Sequence, residues 1–190
     1  SIERDTSGLV SLGSVFYQPL SIFYRSAKPM SFLSELKGKR IVVGAEGSGT
    51  AFLAMALLKS NGIEPGGPTE LLHLKADGSR QALLDGDVDA IFLSGDSAAP
   101  AIIRELMRAD SIRLYDFPQA AGYTRRFRYL SKLELPAGSF DLGRNLPAAP
   151  LNMLAPTVEL LARADLHPAL SDLLIEAARE VNGRAGLFQA

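Results

Sequence analysis

The stretch Lys39-Arg40-Ile41-Val42-Val43-Gly44-Ala45-Glu46-Gly47-Ser48-Gly49-Thr50 constrains what this chain can fold into more than any other. Ile41, Val42 and Val43 are β-branched and suit a central strand. Gly44, Gly47 and Gly49 follow, and they let the backbone turn tightly and approach a ligand. The uncharged run from Ala51 to Leu58 reads as a helix buried on most of its faces, closed by Asn61-Gly62. Strand, glycine turn and helix make a βα unit. The N–H groups that open its helix, the helix dipole and the hydroxyls of Ser48 and Thr50 suit a carboxylate or phosphate.

The same alternation runs along the rest of the chain. Strands are expected at Val10 to Phe16, Leu20 to Tyr24, Leu71 to Lys75, Val88 to Leu93, Ile112 to Leu114, Leu130 to Leu135 and Leu151 to Ala155. Pro19 would interrupt a ladder, so a bend or a change of sheet is expected there. Helices are expected at Ser31 to Leu36, Arg80 to Leu84 (capped by Asp77 or Ser79), Pro100 to Met107 and Pro118 to Arg128. Another follows the helical period from Leu170 to Val181, between Pro168 and Gly183. This pattern implies an α/β fold with a mainly parallel central sheet and helices on both faces. Residues 1–30 read as connecting strands and 31–190 as the α/β lobe, with Gly138 to Pro150 a connecting loop.

Composition excludes several partners. A net charge of −1 with no basic run gives no basis for nucleic-acid binding. No apolar run approaches the roughly 20 residues of a membrane span. Cysteine is absent, so neither disulfides nor thiol chemistry is available. The chain starts at Ser1 without a charged-then-apolar leader, as a mature secreted protein or an excised fragment would.

The glycine turn has competing readings. Its G-x-x-G-x-G spacing is not the G-x-G-x-x-G of dinucleotide sites, and Lys75 ends the next strand where such sites carry an acid. No Gly-Lys-Ser/Thr run forms a P-loop. A tight βα turn with a hydroxyl cap and no ligand satisfies the same pattern. Catalytic readings are weaker. His73, inside an apolar strand, reads as a core residue, and His167 beside Pro168 as a surface one. Neither has a second ligand at metal spacing, and Asp85, Asp87 and Asp89 lack a calcium loop, so no metal and no cofactor are expected. Gly47-Ser48-Gly49 is not a nucleophile elbow. Arg125, Arg126 and Arg128 read as a solvated face, with an acidic docking partner as the alternative. Tyr17 and Phe16, beside Gln18-Pro19, suit either a cleft wall or a core. In a parallel sheet, the loops after Val43 and Leu93 share the carboxyl edge, so Ser94 and Asp96 would face Ser48 and Thr50 across one crevice. Hydroxyls, N–H groups and one carboxylate suit binding better than turnover.

These residues also carry a family resemblance. Ser11-Leu12-Gly13-Ser14-Val15-Phe16-Tyr17-Gln18-Pro19-Leu20, followed by Phe23-Tyr24-Arg25, resembles the entry to the second lobe of TAXI-type solute receptors, the extracytoplasmic subunits of TRAP transporters. Leu36-Lys37-Gly38-Lys39-Arg40-Ile41 and Glu46-Gly47-Ser48-Gly49-Thr50 resemble that lobe's opening and its anion loop. Leu84-Asp85-Gly86-Asp87-Val88-Asp89-Ala90 is similar to a turn found widely in such receptors. The resemblance continues through Phe117-Pro118, Leu135-Pro136-Ala137-Gly138 and Leu154-Ala155-Pro156-Thr157 to Gly186-Leu187-Phe188.

The resemblance implies a lobe of the type II periplasmic-binding-protein fold that captures a small carboxylate, an organic acid or acidic amino acid, outside the inner membrane. It also implies delivery of that ligand to a membrane permease. Gly47, Ser48, Gly49 and Thr50 would hold the acidic group, Tyr17 and Gln18 would lie near the hinge, and Ser94, Gly95 and Asp96 would add contacts. Gln18 stands where many relatives carry an acid. A first-lobe βαβ unit is missing, so the chain reads as a second lobe with its connecting strands. Weak ligand binding and self-association through the exposed inter-lobe face are expected. An effector-sensing domain of a LysR-type regulator is the alternative, and a phosphate-binding transferase on the same fold is a third class.

Overall fold

Pro19 marks a change of sheet: β1 (Leu9–Tyr17) and β2 (Ser21–Arg25) lie in different ones. The computed structural model describes residues 8–182. The chain divides into a smaller unit, up to Gln18 and from Pro156 onward, and a larger one, Pro19–Ala155.

The larger unit holds a five-stranded sheet built from β2, β3 (Arg40–Val42), β4 (Glu70–Leu72), β5 (Ala90–Leu93) and β6 (Ile112–Leu114), in the order β4-β3-β5-β2-β6. β3 pairs in parallel with β4 and β5, whereas β2 runs antiparallel between β5 and β6. The sheet is therefore parallel except where β2 is inserted. β2 is thus an inner strand, between β5 and β6, and its residues Ser21 to Tyr24 are buried. A strand covered on both faces reads as a near-continuous apolar run, and Ile22-Phe23-Tyr24 is one.

Alternation along these strands fills two layers. Ile22, Tyr24, Ile41, Val43, Ala90 and Phe92 share one core cluster with Leu53, Leu57 and Leu58 of α1 (Gly49–Ser60). Phe23, Val42 and Ile91, also fully buried, alternate with them, and α2 (Ala76–Asp85) packs on β5 and α3 (Pro100–Arg108) on β6. Tyr115, Phe117 and Tyr123 extend the first layer as successive edge-to-face pairs, with centroids 4.8 Å and 5.9 Å apart. Tyr123 lies on α4 (Ala120–Arg126), which packs on β7 (Leu130–Leu135). Its hydroxyl accepts from Asn61 Nδ2 at 2.7 Å, tying α4 to the end of α1.

Several boundaries differ from the sequence reading. The segment at Ser31 to Leu36 forms only a 3₁₀ turn, Leu33–Leu36, where the Glu35 carboxylate accepts from the N–H groups of Ser31 and Phe32. α2 begins at Ala76 and not near Arg80, and neither Asp77 nor Ser79 caps it; Ser79 is buried and its hydroxyl donates back to Lys75 O at 2.9 Å. Gly62 does close α1 with φ of 74°, its N–H donating to Lys59 O.

The smaller unit pairs β1 antiparallel with Thr157 to Arg163 of β8 (Leu151–Arg163). β8 is longer than expected because Thr157 to Arg163 pair with β1, and Pro156, which has no N–H, still offers its carbonyl to Gln18 N at 3.1 Å. α5 (Pro168–Asn182) packs on β1, with Leu170, Leu173 and Leu174 exposed. Gly183 and the Gly186-Leu187-Phe188 motif lie outside the described residues.

Candidate functional site

The loop from Gly44 to Ser48 leaves the carboxyl end of β3, which stands between β4 and β5. The βα turns after these three parallel strands therefore open on one edge of the sheet, the edge where such sheets bind ligands. Gly44 is pressed beneath the loop with φ of 108°. A Cβ there would meet Thr50 Cβ at 3.1 Å, and Ala51 N and Ser48 Oγ at 3.2 Å. Glycine is required on both counts, space and backbone conformation.

Ser48 is the N-cap of α1; its Oγ accepts from Ala51 N at 3.1 Å. Phe52 N donates to Ser48 O, the first bond of the helix proper. The N–H groups of Gly49 and Thr50 have no acceptor among the described residues, and with the helix dipole they present a donor pair to an anion. Ser48 thus stabilises the helix start through its oxygen while its own hydrogen remains available. Gly47, Gly49 and Glu46 are exposed and Thr50 is half-buried.

The loop after β5 forms a 3₁₀ turn, Gly95–Ala98. Ser94 is buried and its N–H donates to Ser97 Oγ at 2.8 Å, while Asp96 is exposed. The parallel pairing of β3 with β5 sets this loop on the same edge as Ser48–Thr50. Tyr17 and Gln18 belong to the smaller unit. Tyr17 ends β1 opposite Thr157 and is 42% exposed.

Two residues near the loop escaped the sequence reading. His73 is exposed and not a core residue, because β4 stops at Leu72, level with Val42 of β3. Its Nδ1 lies 3.2 Å from Gly44 O. The register Val42↔Leu72 was the missing information; without it, Leu71 to Lys75 scans as one strand. Phe52, expected within a buried helix, is 74% exposed on the first turn of α1. Its neighbours Ala51 and Leu53 are buried, so the run had no polar residue to mark its outer face.

Elsewhere, Arg125, Arg126 and Arg128 are exposed and make no ion pair among the described residues. A cavity of about 440 Å³, lined by Lys37 and residues 62–69, lies at the amino ends of β3 and β4, the edge opposite the loop. No described helix is long and apolar enough to cross a membrane.

Residues 3–169 match the NMT1-like family. Solved structures with the type II periplasmic-binding-protein fold superpose on nearly the whole chain. A periplasmic binding protein from Brucella ovis with glutathione bound has TM-score 0.52 at 17% identity, covering 92% of this chain and 43% of its own. The aliphatic sulphonate binding protein SsuA from Escherichia coli has TM-score 0.55 at 15% identity, covering 93% of this chain and 49% of its own. The regulatory domain of CcmR from Synechocystis PCC6803, in complex with 2-PG, has TM-score 0.51 at 13% identity, covering 97% and 70%. The chain thus spans about half the length of the two binding proteins. At these identities the likeness establishes the α/β fold expected from the strand and helix alternation.

Proposed function

We propose, because this chain belongs to the NMT1-like family and has the fold of type II binding proteins, that it is the ligand-capturing lobe of a solute-binding protein serving a membrane transporter. Its solute is a small anion, an organic or amino acid held by its carboxylate. The observation that carries this reading is the pair of free N–H groups of Gly49 and Thr50, at a helix start on the carboxyl edge of the sheet. Ser48 and Thr50 supply hydroxyls beside them. Gly95 and Asp96 border the site across β5, and Asp96 suits a ligand ammonium or hydroxyl.

The finer reading is a TAXI-type receptor delivering its ligand to a TRAP permease from the periplasmic side. It is supported by the resemblance of Ser11 to Leu20 and of Glu46 to Thr50 to that group. Binding without turnover is part of this reading. Calorimetry on the whole reading frame, titrated with succinate, glutamate and ethanesulfonate, tests it. Micromolar binding of one of these, weakened at least about tenfold by Ser48→Ala with Thr50→Val, is the expected result. Saturation by none of them, or binding indifferent to both substitutions, would overturn it.

A second reading is favoured by the CcmR regulatory domain, of which this chain spans 70%. The site would then sense an effector for a DNA-binding module. A helix-turn-helix encoded in the same reading frame would decide for the regulator, and a leader peptide for the receptor.

A further inference from the structure

Arg125 and Arg126 end α4 and Arg128 lies just past it, all three exposed and without a side-chain hydrogen bond or ion pair among the described residues. The other arginines of the larger unit differ. Arg25, Arg40 and Arg113 donate to backbone carbonyls, and Arg80 and Arg108 pair with carboxylates. Arg104 and Arg144 lack such a bond, but Glu105 and Asp141 stand close to them in sequence. The cluster has no such neighbour. No Asp or Glu occurs between Asp116 and Glu134, and Lys132 adds a further exposed cation. The three arginine Cα atoms lie within about 11 Å, the reach of the chain between them. This is a concentrated positive charge on a chain whose net charge is −1. The cluster also has a firm base. Phe127 N donates to Tyr123 O at 2.8 Å and Leu130 N to Phe127 O at 2.9 Å, while the Tyr123 hydroxyl is tied to Asn61. The Phe127 ring packs against the core, and Tyr129 meets it edge to face at 5.9 Å yet stays 46% exposed.

We propose that the surface of Arg125, Arg126, Arg128 and Tyr129 docks a protein segment rich in carboxylates. The guanidinium groups take the carboxylates, and the Tyr129 ring packs against an apolar residue among them. The proposal is independent of the anion-loop reading. Charge complementarity selects the partner, and the residue types agree with it: arginine and tyrosine are enriched where proteins meet, above all in the residues that carry the binding energy. The short ties beneath the cluster mean that little backbone order is lost on docking. Other polyanions fit less well. Nucleic-acid binding draws on a longer series of phosphate contacts than three arginines give. Capture of lipid headgroups by charge takes clusters of about four to eight basic residues.

The experiment is an amide NMR titration of the chain at low salt with deca-glutamate, and with the same peptide carrying leucine at its two central positions. Both should shift residues 123–132, the leucine peptide binding about threefold more tightly. Tyr129→Ala should erase that difference. Replacing Arg125, Arg126 and Arg128 together by Glu should weaken both peptides at least about tenfold and make deca-lysine shift the same residues, a gain that an unfolded chain cannot give. Amides that move elsewhere or not at all, or affinities indifferent to the charge reversal, would overturn the proposal. So would tighter binding at these residues of phosphatidylserine vesicles or of oligothymidylate than of deca-glutamate. A leucine preference that survives Tyr129→Ala would overturn the part given to that ring.

Discussion

His73 Nδ1 lies 3.2 Å from the carbonyl oxygen of Gly44, so the end of β4 is tied to the first residue of the anion loop. A carbonyl only accepts, so in this bond Nδ1 is the donor. Together with Val43 N on Leu72 O at 3.0 Å, this bond holds the two βα turns in register.

His73→Ala should therefore loosen the loop without unfolding the lobe. The imidazole is exposed, so the cost falls toward the low end of the usual range, about 0.5–1 kcal/mol. Amide hydrogen exchange should quicken at residues 44–50 and stay unchanged along β5. Unaltered exchange in the loop would mean that the bond does not hold it.

Gly44→Ala should cost more than Ser48→Ala. The serine loses one cap bond, worth about 1 kcal/mol. The glycine change adds a Cβ at 3.1 Å from Thr50 Cβ and 3.2 Å from a backbone nitrogen, at a φ of 108° that side chains resist. Several kcal/mol is expected, because the strain and the clash add. Urea denaturation of both variants checks the order, and a Gly44→Ala protein as stable as Ser48→Ala would refute it.

The βα unit at residues 40–60 was legible because its signals are local: β-branched residues, glycines, a hydroxyl cap and Asn61-Gly62. The place of β2 was not. Ile22-Phe23-Tyr24 announces burial, but its antiparallel insertion between β5 and β6 depends on partners about seventy to ninety residues away, which no local period encodes. His73 and Phe52 failed for related reasons. A strand's end is set by its neighbour's register, and a helix without polar residues gives no sign of which face lies outward.

Phe23→Ala should destabilise the larger unit severely. Phe23 is fully buried and stands opposite both Ile91 and Leu114, so truncation leaves a cavity on one face of the sheet. A loss of about 3–5 kcal/mol is expected, enough to unfold a marginal domain. Circular dichroism melting should show this, whereas Phe52→Ala, at an exposed site, should leave the melting temperature nearly unchanged.

Buried tyrosines should make the lobe alkali-sensitive. Burial, with the nearby charge of Tyr123, Glu35, Asp116 and Tyr24, pushes the Tyr115 hydroxyl far above its ordinary value of 10.0. Burial raises Tyr123 as well, against the Asn61 hydrogen bond, which lowers it. Below the ordinary value both the folded and unfolded chains hold these protons, and the stabilisation is complete. Above it the unfolded chain releases them while the folded chain does not, so stability falls as pH rises. The denaturation midpoint should thus be flat from about pH 8 to 9.5 and drop steadily above about pH 10. Tyr115→Phe loses the bond to Ser31 O at 3.3 Å and should start lower at neutral pH, yet decline less steeply. A double variant, Tyr115→Phe with Tyr123→Phe, should be flatter still. If its midpoint falls above about pH 10 as steeply as the wild type's, the alkaline sensitivity arises elsewhere and this account of it is wrong.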